Sequence, residues 1–300
     1  MRSSLRYYIL SIALLFSVHG LHAQLVPNNT APYNLATYLV QNVLVGQGVQ
    51  VSNITYTGDT AAIGFFTAAN TNLGIDSGVV ISTGSIYKTP GPNTFGNTTT
   101  IFNGAGDSLL TAYGGDTTRD AAILEFDFVA VTDTLQFNYV FGSEEYPEFV
   151  GPPCGTATYN DVFGFFLSGP NPIGGNYDQH NLATVDTSSL IVGINNPNCQ
   201  CFSSYYICND PNNANQLPAN QCASVYNCPT TSVGTTIEYD GFTQVMNVYS
   251  LLVCGQTYHI KMAIADGGDW SYNSGIFIEA KSFKGPSLRM VYSLIPLDHH

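Results

Sequence analysis

Positive charge is scarce in this chain of 300 residues: 8 Lys and Arg stand against 21 Asp and Glu, a formal net charge of -13. Two of the eight, Arg2 and Arg6, fall in a segment read below as a removable leader, which leaves 6 against 21 and a net charge of -15. A surface of that sign repels phosphate, which argues against nucleic-acid binding and disfavours adsorption to anionic membranes. Charge of either sign is sparse, at 10% of residues against about 25% in ordinary soluble domains. The polar surface must then come from Asn, Thr, Ser, Gln and Gly, which suits an extracellular β-protein better than a cytosolic helical one. Catalytic signatures are missing as well: no GxSxG, HExxH or P-loop pattern occurs. Core material is plentiful. Hydrophobic residues make up 44%, with 17 Phe and 19 Tyr, so disorder is excluded for most of the chain. At this length one large β-domain or two small ones could form.

No apolar run is long enough to span a bilayer. The longest, residues 7–18, is broken only by Ser11 and Ser17 and falls well short of the roughly 20 residues a membrane helix needs. It follows a basic head (Met1 to Arg6) and precedes Leu21-His22-Ala23. This is the pattern of a secretory signal peptide, residues 1–23, cleaved before Gln24. No Cys follows the apolar stretch, which argues against a lipoprotein anchor, and no transmembrane segment is expected in the mature chain.

Cysteine is absent from the first half. The seven are Cys154, Cys199, Cys201, Cys208, Cys222, Cys228 and Cys254, five of them within residues 199–228 among Asn, Pro, Ser and Gln. The expectation is a long loop stapled by disulfides in an oxidising compartment. Seven is odd, so at least one thiol is left over or pairs between chains. Structural zinc wants close CxxC-type pairs, and none occurs.

Residues 34–44 place Leu35, Leu39 and Val43 four apart with Leu44 beside them, Asn34 as a candidate cap and Gly46 as a stop. One short N-terminal helix is expected there. The period then changes to two. Leu124, Phe126 and Phe128 alternate with Glu125 and Asp127, and Leu135, Phe137, Tyr139 and Phe141 with Gln136 and Asn138. Tyr258, Ile260, Met262 and Ile264 alternate with His259 and Lys261, and Ile276 and Ile278 follow. Phe163, Phe165 and Leu167 lie in a run apolar on both faces, the mark of a central strand covered on both sides. Weaker strands are expected at residues 49–56, 63–67, 78–83, 190–194, 236–239 and 244–253, about eleven in all, with a surface loop over residues 87–105. Alternating strands each need a second sheet to cover one face. The fold class is therefore all-β, a β-sandwich of jelly-roll or lectin-like type with the single short N-terminal helix. No linker or repeat appears, so residues 24–285 read as one domain and 286–300 as a tail.

Carboxylates are few but gathered. Glu144, Glu145 and Glu148 follow one strand, Asn160 and Asp161 open the next, and Asp266 and Asp269 sit in a Gly-rich turn with Asn273 beyond. Hard oxygens at a sheet end suit Ca²⁺, which takes 6–8 oxygens at about 2.3–2.6 Å. The candidate metal ligands are Glu144, Glu145, Asn160, Asp161, Asp266 and Asp269, with Ca²⁺ as the one cofactor expected. The plainer reading is turn-capping carboxylates. A third is glycoside hydrolysis, with Glu148 and Asp161 the pair that could act, since neighbours Glu144 and Glu145 point to opposite faces of an extended chain. His180, His259, His299 and His300 are the mature chain's histidines. His259 sits in an alternating strand as an ordinary outward residue. Trp270, the one tryptophan, adjoins the acidic turn and is a candidate ligand-binding ring; Tyr205 and Tyr206 form another. Asn28, Asn53 and Asn97 stand in N-x-T sequons, weak evidence in an Asn- and Thr-rich chain.

Residues 124–150 (LEFDFVAVTDTLQFNYVFGSEEYPEFV) and 160–172 (NDVFGFFLSGPNP) resemble the core signature of the choice-of-anchor L domain family. LVQNVLVGQGVQVSNITYTGD at 39–59, LGIDSGVVISTG at 73–84, IEYDGFT at 237–243 and the stretch 254–283 extend the likeness to nearly the whole mature chain. The resemblance implies a bacterial extracellular domain joined in various members to C-terminal anchors or sorting signals. It carries no agreed catalytic residue. This chain ends at Leu297-Asp298-His299-His300 with no such module, so a truncated product or release after export are both expectations. The 199–228 loop reads as an elaboration of the family's domain.

The leading functional expectation is a secreted or cell-surface, non-enzymatic binding or adhesion domain, stabilised by Ca²⁺, with glycans or surface proteins as partners. An extracellular polysaccharide hydrolase and a purely structural surface component are the alternatives.

Overall fold

The computed structural model describes residues 24–93, 96–150, 160–185, 188–209 and 236–285. Among the described residues thirteen strands form two antiparallel sheets. They are β1 (Val26–Asn28), β2 (Gln50–Thr57), β3 (Ile63–Thr67), β4 (Ser77–Ser82), β5 (Thr118–Val129), β6 (Thr134–Ser143), β7 (Val162–Pro170), β8 (Asn176–Asn181), β9 (Tyr206–Cys208), β10 (Gly241–Thr243), β11 (Met246–Leu251), β12 (Thr257–Gly267) and β13 (Ser274–Glu279). The first sheet runs β1-β3-β4-β13-β6-β10-β9, with β11 also paired to β6; the second runs β2-β5-β12-β7-β8.

The alternation sets the packing. Leu124, Phe126 and Phe128 of β5, Tyr258, Ile260 and Met262 of β12, and Phe163, Phe165 and Leu167 of β7 face Leu135, Phe137, Tyr139 and Phe141 of β6 across one core. The rings interlock: Phe137 meets Phe165 edge-to-face at 5.0 Å, and Phe141 stacks on Phe163 at 4.9 Å. A β-sandwich follows, as the alternating strands require.

The helix at 34–44 is present in altered form. A short turn α1 (Ala36–Tyr38) continues as a π-helix over Leu39–Leu44, closed by the Val45 amide on the Val40 carbonyl. The wider winding buries Leu39, Val40, Val43 and Leu44 together, whereas Leu35 is exposed. Asn34 does not cap it; the capping position is Leu35, with no side-chain bond.

A second helix, α2 (Ser108–Gly114), was not expected. Asp107 Oδ1 accepts from the Leu109 and Leu110 amides, and Gly115 ends the helix at φ 81°. It covers the outer face of the second sheet, where Leu110 packs with Ile123, Val162, Phe166, Ala263 and Ala265. That explains why β7 is apolar on both faces. Strands expected at 190–194 and 236–239 are isolated bridges instead.

Cys199, Cys201 and Cys208 are disulfide-bonded, and Cys254 is a free, exposed thiol. Cys154, Cys222 and Cys228 lie outside the described residues, as do residues 1–23 and 286–300, the expected leader and tail with His299 and His300. Among the described residues no helix is long and apolar enough to cross a membrane.

Candidate functional site

β6 and β7 belong to different sheets. The acidic residues between them therefore do not meet along one sheet edge, as the sequence suggested. They meet across the end of the sandwich. Glu144 and Glu145 leave β6 in a turn, Asp161 precedes β7, and Asp266 closes β12, which pairs with β7 through Ile264 opposite Phe163. The two acidic clusters of the sequence become one.

These side chains are buried: relative exposure is 1% at Glu144, 2% at Glu145, 1% at Asp161 and 0% at Asp266. Backbone amides partly hold them. Glu145 Oε2 accepts from the Asp161 amide at 2.9 Å, and Asp161 Oδ1 from the Gly267 amide at 3.1 Å. Gly267 has no substitute here, because a Cβ would stand 2.0 Å from the Asn160 carbonyl oxygen. The Ser274 and Thr83 hydroxyls lie beside Asp161 and Asp266 and offset part of the upward shift, but neither stands within hydrogen-bond geometry of those carboxylates; Thr83 Oγ1 instead accepts from the Ser274 amide at 3.0 Å. Asp161 Oδ2, Asn160 Oδ1 and both carboxylate oxygens of Asp266 have no hydrogen-bond partner among the described residues.

Burial and mutual repulsion raise the proton affinity of the cluster. Glu145 is pushed up to about 8, first by burial and then by the charges of Asp266 and Asp269. Asp161 is held well above the carboxylate range by burial and by Glu145, and Asp266 by burial and by Asp161.

The 96–105 segment, expected as a plain surface loop, packs onto this end. The Thr98 amide donates to Glu144 Oε2 at 3.1 Å, the Thr98 hydroxyl to Glu238 Oε1 at 2.7 Å, and the Thr100 amide to Asn273 Oδ1. Asn273, which the sequence placed just beyond the acidic turn, joins this end, and so do Thr83, Glu238 and Asp120, which accepts from the Phe102 amide at 2.9 Å; these last three sequence reasoning missed. They come from segments far apart in the chain, and only the strand order brings them together.

The remaining candidates scatter. Asp269 is half-exposed and caps its own turn through the Ser271 amide at 2.8 Å. Glu148 is half-buried in the turn after Glu145. The guanidinium of Arg119 lies 3.8 Å from the Trp270 ring centroid and covers one ring face. Tyr206 packs against Tyr146 at 4.9 Å, so Tyr205 and Tyr206 do not form an open platform. His259 faces outward between Asp127 (Nδ1 to Oδ1, 2.8 Å) and Glu125 (Nε2 to Oε1, 3.4 Å). Among the described residues no three His, Cys, Asp or Glu side chains form a ready metal-ligating group.

The family model of the choice-of-anchor L domain matches residues 27–284. The chain belongs to this family. No curated protein and no solved structure matches it. A choice-of-anchor L domain points to a surface or secreted role, and the family is not one of known enzymes. In this choice-of-anchor L domain Glu144, Glu145 and Asp161 belong to a buried acidic end.

Proposed function

We propose that the chain is an exported, non-catalytic binding domain that attaches to surface glycans, with its acidic end steadied by a divalent cation of the calcium type. The observation that carries the non-catalytic reading is burial. A glycosidase needs two carboxyl groups facing a sugar in a cleft, and Glu145, Asp161 and Asp266 are no more than 2% exposed. Glu148 and Asp161, the pair that could have acted, share no open face, because Asp161 is enclosed.

The cation reading rests on the orphaned oxygens. An isolated charged carboxylate inside a protein costs several kcal/mol unless it takes a proton or a counter-charge. Asp161 and Asp266 offer three such oxygens and Asn160 a fourth. Two carboxylates and an amide oxygen suit a hard ion that fills its shell with carbonyls and water. They suit zinc poorly, since zinc prefers sulfur and nitrogen.

The test incubates the mature protein with insoluble polysaccharides and measures both retained protein and released reducing ends. Retention without release is expected. Release that disappears in Glu148→Gln or Asp161→Asn would overturn the reading and establish the hydrolase.

A further inference from the structure

A second feature lies away from the acidic end. A cleft of about 410 Å³ opens between α2, the end of β8, the segment that follows it, and β11. That volume is within the range of small-ligand sites. Tyr113 and Tyr249 line it with 39% and 55% of their surface exposed. Tyr113 is propped on Phe166, ring centroids 5.2 Å apart. Tyr249 stands on β11 opposite Gln136. His180 adds an imidazole stacked on Tyr177 at 5.7 Å, and Tyr177 is itself tied by its hydroxyl to the Leu251 carbonyl at 3.1 Å.

One group in the wall is built but unused. Asn181 is 5% exposed and lines the cleft. Its Oδ1 accepts from the Phe165 amide at 3.1 Å and the Ala183 amide at 3.0 Å, which fixes the side chain. Its Nδ2 has no acceptor among the described residues. That donor lies behind the wall, with almost no surface of its own open to the cleft. Thr184 and Ser188 add hydroxyls, and among the described residues no Asp, Glu, Lys or Arg side chain lines the cleft.

Exposed rings and neutral hydrogen-bonding groups are complementary to a molecule with apolar C–H faces and hydroxyl edges. Among the described residues an anion finds no Lys or Arg here, and a wholly apolar ligand leaves the Thr184 and Ser188 hydroxyls unused. We propose that this cleft binds a neutral oligosaccharide, with Tyr113 and Tyr249 packing on sugar faces and the Thr184 and Ser188 hydroxyls meeting its hydroxyl edge. The proposal rests on the reading of the domain as a glycan binder and names the site and ligand class.

The test is calorimetric titration of the mature protein with neutral gluco-, manno- and xylo-hexaoses and with an oligouronate of similar length. Binding of at least one neutral hexaose is expected. Loss of a packed ring is worth about 0.5–1.5 kcal/mol, so Tyr113→Ala and Tyr249→Ala should each weaken it up to about tenfold, and Tyr249→Phe should retain it. Thermal midpoints of the variants should match the parent, since both rings are substantially exposed. Neutral binding indifferent to both alanine variants would overturn the site and leave the glycan reading standing. Preference for the oligouronate would overturn the ligand class. Binding to none of these sugars would overturn both the site and the glycan reading.

Discussion

Raising the pH should destabilise this protein when divalent cations are chelated. The sign follows from Glu145. Burial raises its pKa in the folded state to about 8, from an ordinary 4.5. The folded state therefore holds a proton that the unfolded chain releases near the ordinary value. Below pH 4.5 both states are protonated and this group has no effect. Between pH 4.5 and about 8 folding requires proton uptake, so stability falls by up to about 1.4 kcal/mol per pH unit. Above pH 8 the full penalty is in place, about 5 kcal/mol at 1.36 kcal/mol per unit. Asp161 and Asp266 are shifted upward by burial as well, so they act in the same direction.

For a domain of this size 1 kcal/mol moves the thermal midpoint by about 2–4 °C. In EDTA the midpoint should therefore drop by roughly 10–20 °C between pH 5 and pH 8.5. Calcium should reverse the drop at pH 8.5, because a cation replaces the protons. At 100 times its dissociation constant it adds about 2.7 kcal/mol, or about 5–10 °C. At pH 5 the same calcium competes with protons and should do less. Asp266→Asn separates this account from a general acid effect. It removes one buried charge without changing shape, so it should raise the pH 8.5 midpoint in EDTA and abolish the response to calcium. A midpoint in EDTA that stays flat or rises from pH 5 to 8.5 would refute the reasoning. The orphaned oxygens would then have partners in the protein.

Three further outcomes follow from single residues. Asp107 both caps α2 and accepts from Lys261 Nζ at 2.6 Å, with both side chains nearly buried. Asp107→Ala should cost about 2–4 kcal/mol in urea unfolding, whereas Asp107→Asn should keep the cap and lose only the ion pair. Gly267→Ala would drive a Cβ against the Asn160 carbonyl oxygen, so a loss of about 1–3 kcal/mol or more is expected; an unchanged midpoint would disprove the close approach. Thiol titration of the native mature protein should lose one reactive group per chain in Cys254→Ser, because Cys254 is free and exposed.

Much of the scaffold was legible because β-strands buried on one face must alternate. Leu124 to Phe128, Leu135 to Phe141 and Tyr258 to Ile264 declare period two, and each forms part of a strand. The elements that escaped lack that signature. β8 is a polar edge strand, NYDQHN, with one buried residue. α2 buries only Leu110, too little to write a helical period. The site divides in the same way. Glu144, Glu145 and Asp161 are joined by a local loop, so their proximity was readable. Asp266 joins them only through the pairing of β12 with β7, about a hundred residues away in sequence, and local pattern carries no record of that pairing. Burial was the harder loss. A surface loop and a lid have the same composition, and residues 96–105 become a lid because Thr98 and Thr100 donate their amides to Glu144 and Asn273. That closure separates a catalytic reading of these carboxylates from a structural one. In the open, Glu148 and Asp161 could serve a sugar. Enclosed, Asp161 and Asp266 need a proton or a cation, and the recognition of a partner falls to exposed groups elsewhere on the sandwich.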